Sequence, residues 1–162
     1  MAQVIRDWKL LSDMLESYRN AGKKIVTTNG VFDVLHAGHV RCLKAARDLG
    51  DCLVVAVNSD TCTRHLKGPD RPFVHEDERM ELLAALACVD FVTVFDEPTP
   101  EALLDVIRPN IHAKGGDYHL NLLPEAAVVR RHGGEVITLP FEEGYSTTSL
   151  SERIAAVLAR RG

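Results

Sequence analysis

The sequence predicts an α/β chain, doubly wound around a five-stranded parallel sheet. Short β-branched runs alternate with amphipathic stretches along nearly the whole length, and that alternation implies parallel strands joined by right-handed crossovers. The run Leu53-Val54-Val55-Ala56-Val57 is apolar at every position, as a strand covered by helices on both faces should be. The 162 residues fit a single domain, 1–162.

Trp8, Leu11, Leu15 and Tyr18 recur at helical spacing and Gly22 follows as a stop. Residues 1–22 therefore carry an N-terminal helix ahead of a core over 24–160. Ile25-Val26-Thr27-Thr28 reads as the first strand. Val40, Leu43 and Ala46 mark one face of the next helix, closed by Gly50, and 53–57 is the second strand. Residues 59–74 are polar and broken by Gly68, Pro69 and Pro72, which makes them a long loop or a loop with one helical turn. Residues 75–87 are helical with acidic residues in the first turn, and 91–95 is the third strand.

Thr99-Pro100-Glu101 starts the next helix, since proline suits the first helical position. Leu103, Val106 and Ile107 give that helix its core face, and Pro109 ends it. Ile111-His112-Ala113 is a short fourth strand, followed by the loop Lys114-Gly115-Gly116-Asp117. Residues 124–132 form a helix, Gly133-Gly134 a turn and 136–139 the fifth strand. The last helix carries Leu150, Ile154, Val157 and Leu158 on one face. No internal repeat, low-complexity tract or domain boundary interrupts this order, so the chain reads as one Rossmann-like domain.

Hydrophobic residues make up 46% and charged residues 26%, enough apolar material for a sizeable core and unlike a disordered chain. The net charge of −4 makes a general nucleic-acid or membrane-surface binder a poor reading. No apolar run reaches the ~18 residues needed to span a bilayer. Arg6, Asp7 and Lys9 fall where a signal peptide would have its uncharged core. Cys42, Cys52, Cys62 and Cys88 form no CxxC and read as reduced thiols. A cytoplasmic protein is expected.

In a doubly wound sheet, ligands bind beyond the carboxyl ends of the strands. The first strand runs into Asn29-Gly30-Val31-Phe32-Asp33, then into His36-Ala37-Gly38-His39 at a helix start. Two imidazoles three residues apart on a helix point the same way. Gly38 leaves room for a ligand, and the free N–H groups of the helix start favour an anion. Such a pair suits the developing charge of a pentavalent phosphate. The same spacing also fits two ordinary polar histidines, or half of a zinc site whose remaining ligands are not clearly placed.

Ser146-Thr147-Thr148 begins the last helix with hydroxyls and unpaired N–H groups, which suits a phosphate and suits a plain helix cap equally. Lys67 and Arg71 lie in the loop after the second strand, as phosphate-closing cations or as solvated loop residues. Neither a P-loop nor a GxGxxG fingerprint is present, which weakens P-loop ATPase and NAD readings.

The run 29–33 with HxGH and Ser146-Thr147-Thr148 resembles the nucleotidyltransferase superfamily of cytidylyltransferases and adenylyltransferases. Leu66-Lys67-Gly68-Pro69-Asp70-Arg71-Pro72, the segment 83–90 and Lys114-Gly115-Gly116-Asp117-Tyr118 look like its bacterial D-glycero-D-manno-heptose 1-phosphate adenylyltransferases. The resemblance runs from about Lys24 to Arg153. It implies transfer of AMP from ATP to the sugar 1-phosphate, giving ADP-heptose for surface polysaccharides and pyrophosphate, with no covalent enzyme intermediate.

The same resemblance implies that His36, His39 and Lys67 serve the transition state and phosphate charge. Asn29, Gly30, Val31, Phe32, Gly38, Lys114, Gly115, Asp117, Ser146, Thr147 and Thr148 then contact the nucleotide with the two histidines. Asp33, Lys67 and Arg71 face the acceptor or order its loop. No protein metal site is implied; Mg²⁺ travels with ATP, held mostly by phosphate oxygens and water. A homodimer or higher homo-oligomer is usual in the superfamily, and a separate sugar kinase is expected upstream.

Glycerol-phosphate cytidylyltransferases usually carry an Arg shortly before Ser-Thr-Thr; here that stretch is Pro140-Phe141-Glu142-Glu143-Gly144, with Arg71 and Lys114 as candidate substitutes. Heptose enzymes tend to have Val-Gly where this chain reads His119-Leu120-Asn121-Leu122-Leu123-Pro124. Rival readings are a cytidylyltransferase acting on glycerol 3-phosphate or a similar small alcohol phosphate, and a non-catalytic nucleotide sensor.

Overall fold

The computed structural model describes residues 1–116, 123–139 and 146–160. The described elements run β1 (Gln3–Val4), α1 (Trp8–Asn20), β2 (Ile25–Gly30), α2 (Ala37–Arg47), β3 (Cys52–Asn58), α3 (Asp60–Lys67) and α4 (Glu76–Ala84). They continue with β4 (Phe91–Phe95), α5 (Glu101–Ile107), β5 (Ile111–Gly115), α6 (Pro124–Arg131), β6 (Glu135–Leu139) and α7 (Thr147–Ala159). The strands form one parallel sheet in the order β1-β4-β3-β2-β5-β6.

The sheet has six strands among the described residues, not the five that the sequence predicts. The extra one, β1, is two exposed residues long and pairs Gln3 with Phe91 and Val4 with Val92. It is held by its backbone: Gln3 N–H donates to the Asp90 carbonyl and Ile5 N–H to the Val92 carbonyl. A strand so short has no apolar alternation to betray it.

A further expectation changes. Residues 60–67, expected as loop or one turn, form α3, capped by the Ser59 hydroxyl accepting from Cys62 N–H at 3.0 Å. Only Cys62 and Thr63 of this helix are buried, and with Cys62 and Leu66 its only apolar residues, it reads as polar loop. Helix α7 forms as expected, but its apolar face is uncovered among the described residues; Leu158 is 63% exposed.

The core follows the two-residue period of a strand. On one face of β3, Leu53, Val55 and Val57 pack with Leu43 and Ala46 of α2 and Met80 and Leu83 of α4. On the other, Cys52, Val54 and Ala56 pack with Leu11 and Leu15 of α1 and Leu103 and Ile107 of α5. A smaller cluster joins Leu104 of α5, Ala126 and Val129 of α6, and Val136 of β6.

From β2 the chain winds outward through β3 to β4, then returns to lay β5 on the opposite side of β2. The carboxyl ends of β2 and β5 are therefore the topological switch point. Arg79 of α4, 1% exposed, ties this end of the sheet together. Its Nε donates to the Val74 carbonyl, Nη1 to the carbonyls of Val31 and Asn58, and Nη2 to Asp60 Oδ1 at 2.7 Å. Removing that guanidinium leaves three carbonyls and a carboxylate without their donor. Arg79→Ala is expected to lower stability by about 3–5 kcal/mol, and Arg79→Lys to recover only a fraction, because one ammonium cannot span the fork; urea unfolding of the three proteins checks both.

Candidate active site

Where β2 ends, the chain enters a loop that ordinary side chains resist. Phe32 and Val34 sit at φ 52° and 54°, a left-handed conformation that is a genuine outlier for a β-branched residue such as Val34. Gly30 permits the fold-back, since a Cβ there would stand 3.2 Å from the Phe32 ring. Three contacts hold the loop: Arg79 on the Val31 carbonyl, Thr147 Oγ1 donating to the Asp33 carbonyl at 2.6 Å, and the Asp33 side chain.

Asp33 is 1% exposed, and its carboxylate accepts from the N–H groups of Phe73 and Val74 and from Arg71 Nε at 2.7 Å. Burial alone would raise its pKa, but the two N–H donors and Arg71 together hold it below the usual carboxylate range. The Arg71 guanidinium lies over the Phe73 ring, 4.5 Å from its centre. Asp33 and Arg71 thus face each other and order the 71–74 segment.

Helix α2 opens with His36 as its N-cap. His39 N–H donates to His36 Nδ1 and His36 N–H to His39 Nδ1, each at 3.4 Å. The rings stack with centroids 3.8 Å apart and 19° between planes, and Phe32 meets His39 edge-on. A ring nitrogen that accepts an N–H carries no proton, so each neutral imidazole bears its proton on Nε2. Burial, then the neighbouring charges of His36 and Lys67, push the His39 pKa down to about 4. Burial lowers His36 as well. The pair is therefore two neutral Nε2–H donors at neutral pH.

These residues line a cleft of about 370 Å³ at the switch point. Of the residues singled out from the sequence, Asn29, Gly30, Val31, Phe32, Asp33, His36, Gly38, His39, Lys67, Gly115, Ser146, Thr147 and Thr148 all border it. Partial desolvation and the Arg71 charge hold the Lys67 ammonium below its ordinary pKa. Ser146 is a true helix cap, its hydroxyl accepting from Ser149 N–H at 3.0 Å. The amino ends of α2 and α7 both border the cleft, and their partial positive charges favour an anion between them.

Two predicted contacts stand apart from the wall. Arg71 is turned to Asp33, and Lys114 is turned to Asn29 and Glu125. Asp117, the 119–122 segment and the 140–144 stretch lie outside the described residues. Sequence reasoning missed Thr28, Arg41, Cys42 and Ala45, which also line the cleft. Gly38, Arg41, Cys42 and Ala45 share one helical face, a periodicity that extends the HxGH signal by two turns. Burial pushes the Cys42 thiol up, so it forms an un-ionised part of the wall.

A family model described as cytidylyltransferase-like matches residues 27–153, from within β2 into α7. The chain belongs to that family. Among curated proteins it is 50% identical over 150 residues to the bifunctional protein HldE of Syntrophotalea carbinolica, covering 93% of this chain and 31% of that protein. It is 51% identical over 140 residues to the bifunctional protein HldE of Azotobacter vinelandii, covering 86% and 30%. The chain thus spans about a third of the length of these relatives.

A lipopolysaccharide core biosynthesis protein from Thermoplasma volcanium superposes with a TM-score of 0.63 at 30% identity, over 77% of this chain and all of that one. A pantoate-beta-alanine ligase from Francisella tularensis shares the fold, with a TM-score of 0.62 at 14% identity, over 88% of this chain and 68% of that one. As a member of the cytidylyltransferase-like family the chain is a nucleotidyltransferase, and the cleft holds the groups such chemistry needs: anion-binding helix ends, a cation and two fixed N–H donors.

Two outcomes follow from the titrating groups. The His39 ring resonances should keep neutral-imidazole positions from pH 8 down to about pH 5, as read by NMR. Asp33 contributes stability that is present above its unfolded pKa and lost as pH falls through its lower folded value. Asp33→Asn should therefore cost about 2 kcal/mol at pH 7 and flatten the acid limb of a Tm-against-pH curve.

Proposed function

We propose that this nucleotidyltransferase moves AMP from ATP to D-glycero-D-manno-heptose 1-phosphate, giving ADP-heptose and pyrophosphate for surface polysaccharide synthesis. The observation that carries the transfer chemistry is the stacked His36–His39 pair, two neutral Nε2–H donors at a helix start. The choice of sugar rests on the identity to bifunctional HldE proteins over 93% of the chain and on the heptose-like segments 66–72, 83–90 and 114–118. A sugar kinase supplies the acceptor.

ATP lies with its triphosphate between the amino ends of α2 and α7. A phosphate oxygen of the sugar 1-phosphate attacks the α-phosphorus in line, and the bond to the bridging oxygen breaks as pyrophosphate leaves. His36 and His39 donate to oxygens that gain charge in that step, and being neutral they need no proton transfer to do so. The α7 N–H groups and the Thr148 hydroxyl hold the outer phosphates, the Thr147 hydroxyl stays on the Asp33 carbonyl, and Lys67 offsets the phosphate charge. Mg²⁺ enters with the triphosphate and neutralises phosphate charge when bound. Asp33, with its oxygens taken by Arg71 and two backbone N–H groups, leaves that ion to phosphate oxygens and water.

Pyrophosphate release tests this reading, with ATP, CTP, GTP and UTP each paired with α- and β-heptose 1-phosphates and with glycerol 3-phosphate. Release with ATP and one heptose phosphate is expected; release with CTP and glycerol 3-phosphate would overturn the substrate assignment. His39→Ala should lower kcat on the order of 10²-fold with little change in KM for ATP. A variant with normal kcat and raised KM would remove His39 from the transition state.

A further inference from the structure

Lys114 looks from the sequence like one more cation for the triphosphate, and its surroundings give it a different task. It stands at the carboxyl end of β5, its side chain 17% exposed, and Nζ donates to Glu125 Oε1 at 2.7 Å and to Asn29 Oδ1 at 3.1 Å. Glu125, in the first turn of α6, has a side chain only 3% exposed. Burial alone would raise the Glu125 pKa, but the bond from Lys114 brings it below the usual range. Glu125 is therefore a carboxylate at neutral pH, accepting from Lys114 Nζ.

An ammonium has three donors and no acceptor. The atom of Asn29 that faces it must be the amide oxygen, and this settles which way the amide is turned. Its Nδ2 then points away from Lys114. Asn29 lines the cleft, and its Nδ2 donates to no group among the described residues. We infer that Glu125 and Lys114 are positioning residues that lock the Asn29 amide so that Nδ2 presents a fixed N–H donor to an acceptor oxygen of the bound nucleotide. The inference rests on the nucleotide-transfer reading above and assigns Glu125 a part that its place outside the cleft wall would not suggest. Without the lock, the amide could turn its oxygen toward the ligand, an acceptor facing an acceptor.

The lock has a signature that a merely structural ion pair lacks. Asn29→Asp keeps an oxygen for Lys114 and gains an ion pair, yet it turns a carboxylate oxygen toward the nucleotide. Mg-ATP binding to the full chain, by calorimetry, should weaken on the order of 10²-fold in Asn29→Asp and about tenfold in Asn29→Ala. The Tm of Asn29→Asp should at least equal that of Asn29→Ala. Asp binding ATP as well as Ala or better would overturn the inferred orientation.

Lys114→Met alone strands a buried carboxylate, so the second measurement replaces both charges, in Lys114→Met/Glu125→Met. This double variant should weaken ATP binding about fivefold with Asn29 present and less than about twofold when Asn29 is already Ala. Equal losses in the two backgrounds would show that the pair acts on the nucleotide or the fold directly, and would overturn the positioning role. If the wild-type protein binds CTP and not ATP, the base assignment fails and the same variants are read with CTP. Failure to bind any nucleotide would overturn both readings together.

Discussion

The Arg79 guanidinium is the constraint on which this site depends. A parallel sheet that splits at its centre leaves carbonyl groups pointing past its carboxyl end with no neighbouring strand to receive them. Arg79 supplies the missing donors for Val31 and Asn58, at the ends of two adjacent strands, and for Val74 in the segment that closes over them. The carboxylate of Asp60 completes the set and balances the charge. The planar fork thereby sets the spacing between the β2 loop, the start of α3 and the residues ahead of α4. The β2 loop takes its position from that spacing, and through Asp33 so do the 71–74 segment and the start of α7.

Burial then decides what those groups can be. Imidazoles in open water would be partly cationic near neutrality, yet His39 is held neutral by loss of solvent and by nearby positive charge. The backbone N–H groups of a helix start complete the assignment by occupying both Nδ1 atoms. Asp33 shows the reverse treatment. A carboxylate next to a phosphate site would repel the ligand, but Arg71 and two N–H groups absorb its charge and turn it into a brace. One pocket thus keeps its histidines uncharged and its acid inward-facing, leaving helix ends and Lys67 to present positive potential.

Much of this was legible in the sequence. Four of the five core strands announce themselves as β-branched runs, 53–57 most plainly because both its faces are covered, while Ile111–Gly115 carries a single β-branched residue. HxGH and Ser-Thr-Thr are local patterns, and the doubly wound topology alone brings them to one end of the sheet. Features held by backbone or by distant partners were not legible. Strand β1 is two exposed residues with no side-chain pattern. Helix α3 is eight residues long with only two apolar ones, Cys62 and Leu66, too few to stand out as a core-facing stripe. Lys114 precedes two glycines and reads as a loop cation for phosphate, until β5 is seen to run through it and Glu125, eleven positions on, and Asn29, on another strand, to hold it. Cys42 and Ala45 lie off the Val40, Leu43 and Ala46 face that the sequence picks out, and their part in the cleft wall depends on what lies opposite.

The left-handed loop at Phe32 and Val34 bears on how the protein folds. None of the contacts that hold it is local: Asp33 reaches residues 38 to 41 positions away, Arg79 reaches Val31 across 48, and Thr147 reaches Asp33 across 114. Each must close a long stretch of chain before it returns any free energy. The loop meanwhile opposes its own conformation, so nothing in its neighbourhood nucleates it. The sheet and its covering helices are assembled first, and the loop at Phe32 and Val34 settles last. A chain caught late in folding would have a native-like sheet and core yet no competent site, so recovery of activity should lag recovery of structure.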